Sequence, residues 1–183
     1  MKNKDRCNIN ITQYDLSYFF RSDIMKQGLE PIYNENTEIL ILGSAPSEKS
    51  LELQQYYGNK GNFFWRIIFS CLNTNDPIDY QERLKLLKEN KIGLWDIFGR
   101  FDRKGSLDSN FVTVKLNHFD KILSETSIKL IIANGNTAHQ QIVASNIFNE
   151  YRVIKCLSTS GANNRKMVER QNEWQAAIQP FLF

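Results

Sequence analysis

Four short apolar runs punctuate an otherwise mixed chain: Ile39–Leu42 (ILIL), Ile92–Trp95 (IGLW), Lys129–Ala133 (KLIIA) and Arg152–Leu157 (RVIKCL). Each is strand-length, rich in branched residues and not alternating with polar ones, as expected of strands covered on both faces. The stretches Phe63–Leu72, Asp79–Glu89, Phe119–Glu125 and Asn136–Ile147 read as helices between them. Strand and helix therefore alternate, which predicts an α/β fold: a three-layer α/β/α sandwich around a central, mainly parallel four-stranded sheet. A last helix is predicted over Asn164–Ile178, where Met167, Trp174 and Ile178 share one face. Ahead of the first run, Thr12–Gln27 carries Tyr14, Tyr18 and Phe19 among scattered charges and reads as an amphipathic helix capped by Thr12. The expected organisation is an N-terminal helical extension over residues 1–30, packed against a single domain over residues 31–183.

Composition narrows the class. The chain has 183 residues, 42% hydrophobic and 12% aromatic, with 23 Lys+Arg against 20 Asp+Glu. That suits one ordinary folded domain and excludes a disordered or collagen-like chain, since only nine Gly and four Pro are present. A net charge of +3 is compatible with nucleic acid without arguing for it. No run of about 18 apolar residues occurs and MKNKDRCNIN has no hydrophobic signal core, so a cytoplasmic location is expected. Cys7, Cys71 and Cys156 are widely spaced, with no CxxC, and read as inert thiols rather than metal ligands.

In a parallel sheet, ligands bind outside the carboxyl ends of the strands. The segments that follow the four runs are GSAPS, DIFGRFDRKGSLDS, NGNTAH and STSGANN, all rich in Gly, Ser, Thr and Asn. Such residues turn tightly and can present NH and OH groups to phosphates, so their coincidence on one edge suggests a phosphate-contacting site. Neither a GK[ST] continuation after Gly43–Ser47 nor a GxGxxG is present, which excludes P-loop and ordinary dinucleotide enzymes. There is no nucleophile elbow, and His118 and His139, assigned to helical stretches, read as structural or surface histidines.

The densest cluster is Gln55–Trp65, QYYGNKGNFFW, with five aromatics interleaved with glycines and the amides of Asn59 and Asn62. Two readings are open from the residues alone. One is a pocket for a nucleobase, with an aromatic face, amide hydrogen bonds and close backbone approach. The other is a packed loop entering an amphipathic helix. The order of LGSAPS, QQYYGNKGNFFW, GLWDI, KGSLDS, IIANG and LSTSGAN resembles the hypoxanthine-DNA (deoxyinosine) glycosylases of the uracil-DNA glycosylase superfamily, from about Pro31 to Asn163.

The resemblance implies a monofunctional glycosylase of base excision repair. It would flip a deaminated base, hypoxanthine first and uracil or xanthine next, out of damaged DNA and hydrolyse the glycosidic bond without metal or cofactor, as a monomer and without strand cleavage. Gly43–Ser47 matches the first catalytic loop and Ser158–Asn163 the loop that presses on DNA. The catalytic role falls to Asn62, which would position the water, and Phe64 would stack on the base. Base contacts are further expected from Gly43, Ser44, Ala45, Tyr57 and Ser158. Asn134 stays open between turn formation and base contact. Expected DNA contacts are Ser47, Lys60, Arg103, Lys104, Thr159, Ser160, Asn163 and Arg165, with Arg100 and Lys166 close by. Asp96 and Asp108 read as loop organisers or as acceptors in the pocket.

The chain departs from the family pattern at several places. Ala45 stands where many relatives carry a water-positioning Asp or Asn, Ser158 where uracil-specific relatives carry His, Leu157 and Gly161 where Pro is common, and Asn59 for a frequent His. The hypoxanthine branch resembles this chain in the first two. The rival expectations are a G/U mismatch-specific uracil glycosylase and a nucleic-acid-binding protein that has the fold without the chemistry.

Overall fold

The structure, a computed structural model, describes residues 25–161 and 166–182. Its centre is a four-stranded sheet of order β3-β2-β6-β7, built from β2 (Ile39–Gly43), β3 (Ile92–Asp96), β6 (Leu130–Asn134) and β7 (Val153–Cys156). Every pairing within it is parallel, with Ile39 opposite both Ile92 and Leu130, and Ile131 opposite Val153. Strand β2 is buried along its whole length, as a central strand covered on both faces must be. The four apolar runs are these four strands.

Side chains alternate across the sheet and feed two cores. Ile39, Ile41, Leu94 and Ile132 pack with Phe64, Trp65 and Ile68 of α2 (Phe64–Cys71), Leu84 and Leu87 of α3 (Tyr80–Glu89), and Trp174 and Ile178 of α6 (Met167–Ile178). Leu40, Leu42, Ile131 and Ala133 pack with Ile122 of α4 (Asp120–Glu125), Ala138 and Ile142 of α5 (Asn136–Ser145), Phe119 and Phe148. Helix α3 starts where expected because the Asp79 carboxylate accepts from the Glu82 N–H at 2.9 Å.

Four elements among the described residues go beyond the sequence reading. The short helix α1 (Glu48–Leu53) follows the first strand directly, capped by the Ser47 hydroxyl. The segment read as one loop after β3 is a hairpin of β4 (Phe98–Arg103) and β5 (Phe111–Leu116), joined in an antiparallel three-stranded sheet by β1 (Lys26–Gln27). Phe98 and Phe101 of β4 lie in the second core, so this sheet shares that layer with α4 and α5. Lys26–Gln27 therefore close no helix; the rest of the helix expected over Thr12–Gln27 lies outside the described residues. His118 stands exposed just ahead of α4 rather than inside a helix, while His139 is in α5. In α6 the buried stripe is Arg170, Trp174, Ala177 and Ile178, and Met167 is exposed.

Candidate active site

The carboxyl ends of the strands open onto a cavity of about 470 Å³. Gly43–Ser47 follow β2 along one wall, Asp96 closes the floor at the end of β3, and Asn134 and Ser158–Gly161 contribute from β6 and β7. The connection between α1 and α2 supplies Tyr57, Asn59, Gly61 and Asn62, and the tip of the β4–β5 hairpin supplies Ser106, Leu107 and Asp108. A larger depression of about 600 Å³ lies at the opposite end of the sheet, bordered by Lys85, Lys88 and Lys91. It is open and surface-charged, with no buried polar group turned into it, so size does not make it the chemical site.

Asn62 stands half-buried on the cavity wall. Its Oδ1 accepts from the Phe64 N–H at 3.0 Å, and its own N–H donates to the Asn59 carbonyl at 2.8 Å. The first bond closes a turn leading into α2 and fixes which end of the amide is oxygen. An amide oxygen has two lone pairs, so one remains for a water molecule.

Phe64 does not line the cavity. Its ring is fully buried and stacks on Tyr57 with centroids 3.7 Å apart and planes 17° from parallel. It also meets Trp65 and Trp174 edge to face. The expected stacking role is corrected accordingly: Tyr57, like Tyr56, lines the cavity, and Phe64 backs Tyr57. Tyr57 has a φ of +53°, a left-handed conformation costly for a tyrosine, of the kind that gathers at functional sites. Burial, and then the nearby Asp96 charge, push its hydroxyl well above the ordinary tyrosine range.

Asn134 joins three segments. Its Nδ2 donates to the Tyr57 hydroxyl at 3.1 Å and to Thr159 Oγ1 at 3.0 Å, while its Oδ1 accepts from the Thr159 N–H at 2.9 Å. Both amide hydrogens are thus engaged in organising the site, so base contact through them is corrected. Thr159 is fully buried, and its carbonyl accepts from the Phe63 N–H at 2.9 Å, so it reaches no phosphate. Ser47 lines the cavity, but its hydroxyl caps α1 by accepting from the Ser50 N–H at 3.1 Å. It is a helix cap first, with its other contact to the Ser50 hydroxyl at 3.0 Å.

Arg103 is the clearest correction among the expected DNA contacts. Its side chain is 1% exposed, lies over the rings of Phe101 and Phe111, and donates to the carbonyls of Pro46 and Gly105. It also lies 3.6 Å from Asp108 Oδ1, which in turn accepts from the Ser44 hydroxyl at 2.8 Å. These bonds tie the hairpin tip to the loop after β2, so Asp108 is an organiser through Ser44 and Arg103 rather than through backbone N–H groups. Lys60 and Lys104 are exposed beside the cavity, and Lys166 faces Glu169. Asn163 and Arg165 lie outside the described residues.

The loop after β7 is held from behind by residues the sequence did not disclose. Arg170 is buried, lies 4.8 Å from the Phe63 ring centre, and donates to the carbonyls of Ser158 and Ser160 at 3.1 and 3.3 Å. Glu173 accepts from the Leu157 N–H at 2.6 Å and Trp174 donates to the Leu157 carbonyl at 2.9 Å. The signal was available: Arg170 falls four residues before Trp174 on the apolar stripe of α6. Gly161, in place of a proline, has its own reason, since a Cβ there would stand 2.7 Å from the Gly61 carbonyl oxygen. Gly135, with φ of +100°, likewise lets Ser158 approach the start of α5.

Asp96 is 4% exposed, and burial raises its carboxyl to about 7, aided by the Asp108 charge and opposed by Arg103. Among the described residues no group of three His, Cys, Asp or Glu could hold a metal ion. No helix among them is long and apolar enough to cross a membrane.

The comparisons agree with this geometry. The sequence model of the uracil DNA glycosylase superfamily matches residues 30–182. A hypoxanthine DNA glycosylase of Methanosarcina acetivorans is 40% identical over 158 residues, covering 85% of this chain and 99% of that protein. One of Methanosarcina barkeri is 40% identical over 157 residues, covering 84% and 98%. The solution NMR structure of a candidate uracil DNA glycosylase from M. acetivorans superposes with a TM-score of 0.77 at 39% identity, covering 86% of this chain and 98% of that one. With the parallel sheet, the cavity at its carboxyl edge and a sequence match across nearly the whole domain all in agreement, the chain belongs to the uracil DNA glycosylase superfamily.

Proposed function

We propose that this chain is a monofunctional DNA glycosylase that excises hypoxanthine, and secondarily uracil or xanthine, from DNA. The observation that carries the reading is the amide of Asn62, held by backbone on the wall of a cavity at the sheet edge roomy enough for a flipped nucleoside. Relatives named for hypoxanthine excision cover almost the same length of chain and support the choice of base.

Water attacks C1′ of the sugar, the C1′–N bond breaks, its electron pair leaves with the base, and a proton from the water completes the free base. An amide is too weak a base to deprotonate water, so Asn62 orients it while departure of the base does most of the work. Catalysis then depends on donors aimed where negative charge develops on the base, each worth about 3 to 4 kcal/mol. Bases whose rings accommodate that charge are cleaved and intact adenine is not. Extrusion costs a few kcal/mol, least at mismatched or damaged pairs, which adds selectivity before chemistry.

Tyr57, backed by Phe64, supplies the aromatic wall. Gly43, Ser44 and Ala45 border the base along the loop after β2, and Ser158 closes the far side. Lys60 and Lys104 neutralise phosphates at the rim, with Ser160 beside them; Asn163 and Arg165, expected to do the same, lie outside the described residues. No lysine lines the cavity among the described residues, which favours hydrolysis over Schiff-base chemistry and strand cleavage. The test is a panel of duplexes carrying hypoxanthine, uracil or xanthine, treated with alkali after incubation. Breaks at hypoxanthine are expected to exceed those at the other lesions; no breaks at any lesion would overturn the reading.

A further inference from the structure

The floor of the cavity holds a polar group that the mechanism so far leaves unused. Asp96 is 4% exposed, it lines the cavity, and its Oδ2 has no hydrogen-bond partner. Its backbone carbonyl is held by Asn117 Nδ2 at 2.8 Å, fixing the residue at the end of β3. A Cβ on Gly43 would collide with Asp96 Oδ1, so the neighbouring strand ends on glycine to admit this carboxyl. A buried, unpartnered carboxyl oxygen is unfavourable for folding and calls for a ligand.

The groups facing Asp96 decide its form. From the hairpin come Arg103 and Asp108, which pair with each other at 3.6 Å, and Arg103 also serves two carbonyls. From the connection between α1 and α2 come Tyr56 and Tyr57, both neutral phenols whose hydroxyls are pushed up by burial first and by the Asp96 charge next. The departing base is an anion, and a carboxylate beside it would oppose the reaction. A neutral carboxyl would assist it by donating a hydrogen bond to the ring oxygen on which the charge collects, as a carboxylic acid held neutral in an apolar site does elsewhere.

We propose that Asp96 reads and activates the flipped base in its neutral form, donating from its carboxyl O–H to the ring carbonyl oxygen of a 6-oxopurine or the matching oxygen of uracil. The proposal rests on the glycosylase reading above and names the feature of the base that reading leaves open. Deaminated bases share a ring N–H beside a carbonyl, so the second carboxyl oxygen accepts from that N–H in parallel. Adenine presents an amino group where the carbonyl would stand, and an amino group cannot accept the bond. No proton changes owner in this step; the donor strengthens its bond as charge reaches the oxygen.

Sign and window follow from the carboxyl's position near 7. The active form is neutral, so kcat/KM for hypoxanthine is full below that pH and falls as pH rises through it, tenfold per pH unit on the alkaline side. Asp96→Asn keeps a donor and an acceptor in the same places and cannot titrate. Asp96→Ala removes both. The experiment measures single-turnover hypoxanthine release from pH 5 to pH 9 for wild type and both variants, with DNA binding and thermal melting recorded for each. The expected result is an alkaline fall in wild type, a flat profile in the Asn variant with activity retained at pH 8, and a loss of about 100-fold or more in the Ala variant. A flat wild-type profile, an alkaline fall that persists in the Asn variant, or an Ala variant within threefold of wild type would each overturn the proposal. A wild type that releases no hypoxanthine at any pH would instead sink the glycosylase reading.

Discussion

Removing the Asp96 charge alters stability as well as chemistry, and the structure sets the size of the change. The carboxyl rises from 3.8 in a free chain to about 7 in the fold, a shift of roughly 3 pH units. At 1.36 kcal/mol per unit this amounts to ~4 kcal/mol of stability, present at low pH and absent when the group is ionised in both states. The sign is that of a raised acid: the contribution is full below about 4 and lost as pH rises through about 7. About 3 kcal/mol of it is lost between pH 5 and pH 8. Glu38, part-buried and paired with Lys129 and Lys91, is shifted downward, away from this window. Asp96→Asn introduces its own pH-independent cost, of order 1 to 3 kcal/mol for a buried amide left incompletely bonded. The diagnostic quantity is therefore the difference between the two proteins at pH 8 minus that at pH 5. Urea unfolding at both pH values is expected to give about 3 kcal/mol in favour of the variant at pH 8, equivalent to ~10 °C in Tm for a domain of this size. A difference that does not change with pH would refute the claim that this carboxyl is buried at the cavity floor and held neutral up to about pH 7.

Other expectations follow from the same geometry. Arg103→Met should lower stability by about 3 kcal/mol, because the carbonyls of Pro46 and Gly105 lose their donor, and should leave the salt slope of DNA binding unchanged, measured by urea melts and by affinity against salt. Lys104→Ala should do the reverse, leaving stability within about 0.5 kcal/mol and reducing the salt slope by about 1. Gly161→Ala should push the loop after β7 off Gly61 and cut hypoxanthine excision at least tenfold while the melting temperature falls by only a few degrees, since the collision involves two rim segments rather than the core.

The four parallel strands and the helices between them were legible because their apolar runs are continuous and their caps lie in sequence, Asp79 before α3 being one. The hairpin was hidden for a physical reason. Arg100, Asp102 and Arg103 interrupt β4, and Arg103 is buried only because backbone carbonyls and two aromatic rings receive it. FVTVKL of β5 carries a readable alternation of branched and polar residues, but the Gly- and charge-rich segment before it reads as one ligand-binding loop.

Within the site, the loops read from the sequence line the cavity, but several of their side chains are engaged with one another instead of facing it. Asn134, Thr159, Ser47 and Arg103 have polar groups suited to ligands, and the fold uses them to fasten the loops to one another. Phe64 opens α2 while Tyr57 sits in a left-handed turn, so which of the two stacked rings faces the cavity could not be told from spacing. Arg170 is a charged residue on an apolar stripe, where hydrophobic spacing alone selects Met167 instead.

The central claim, that the Asn62 amide positions the attacking water for a base held in the cavity, is tested most directly by single-turnover kinetics of Asn62→Ala on a hypoxanthine duplex, alongside its affinity for the same DNA. The account predicts a loss of at least 100-fold in the rate of base release, with affinity within a fewfold of wild type, since a held water is missing while the surface that grips DNA is intact. Base release at the wild-type rate, with the variant folded and bound, would contradict it.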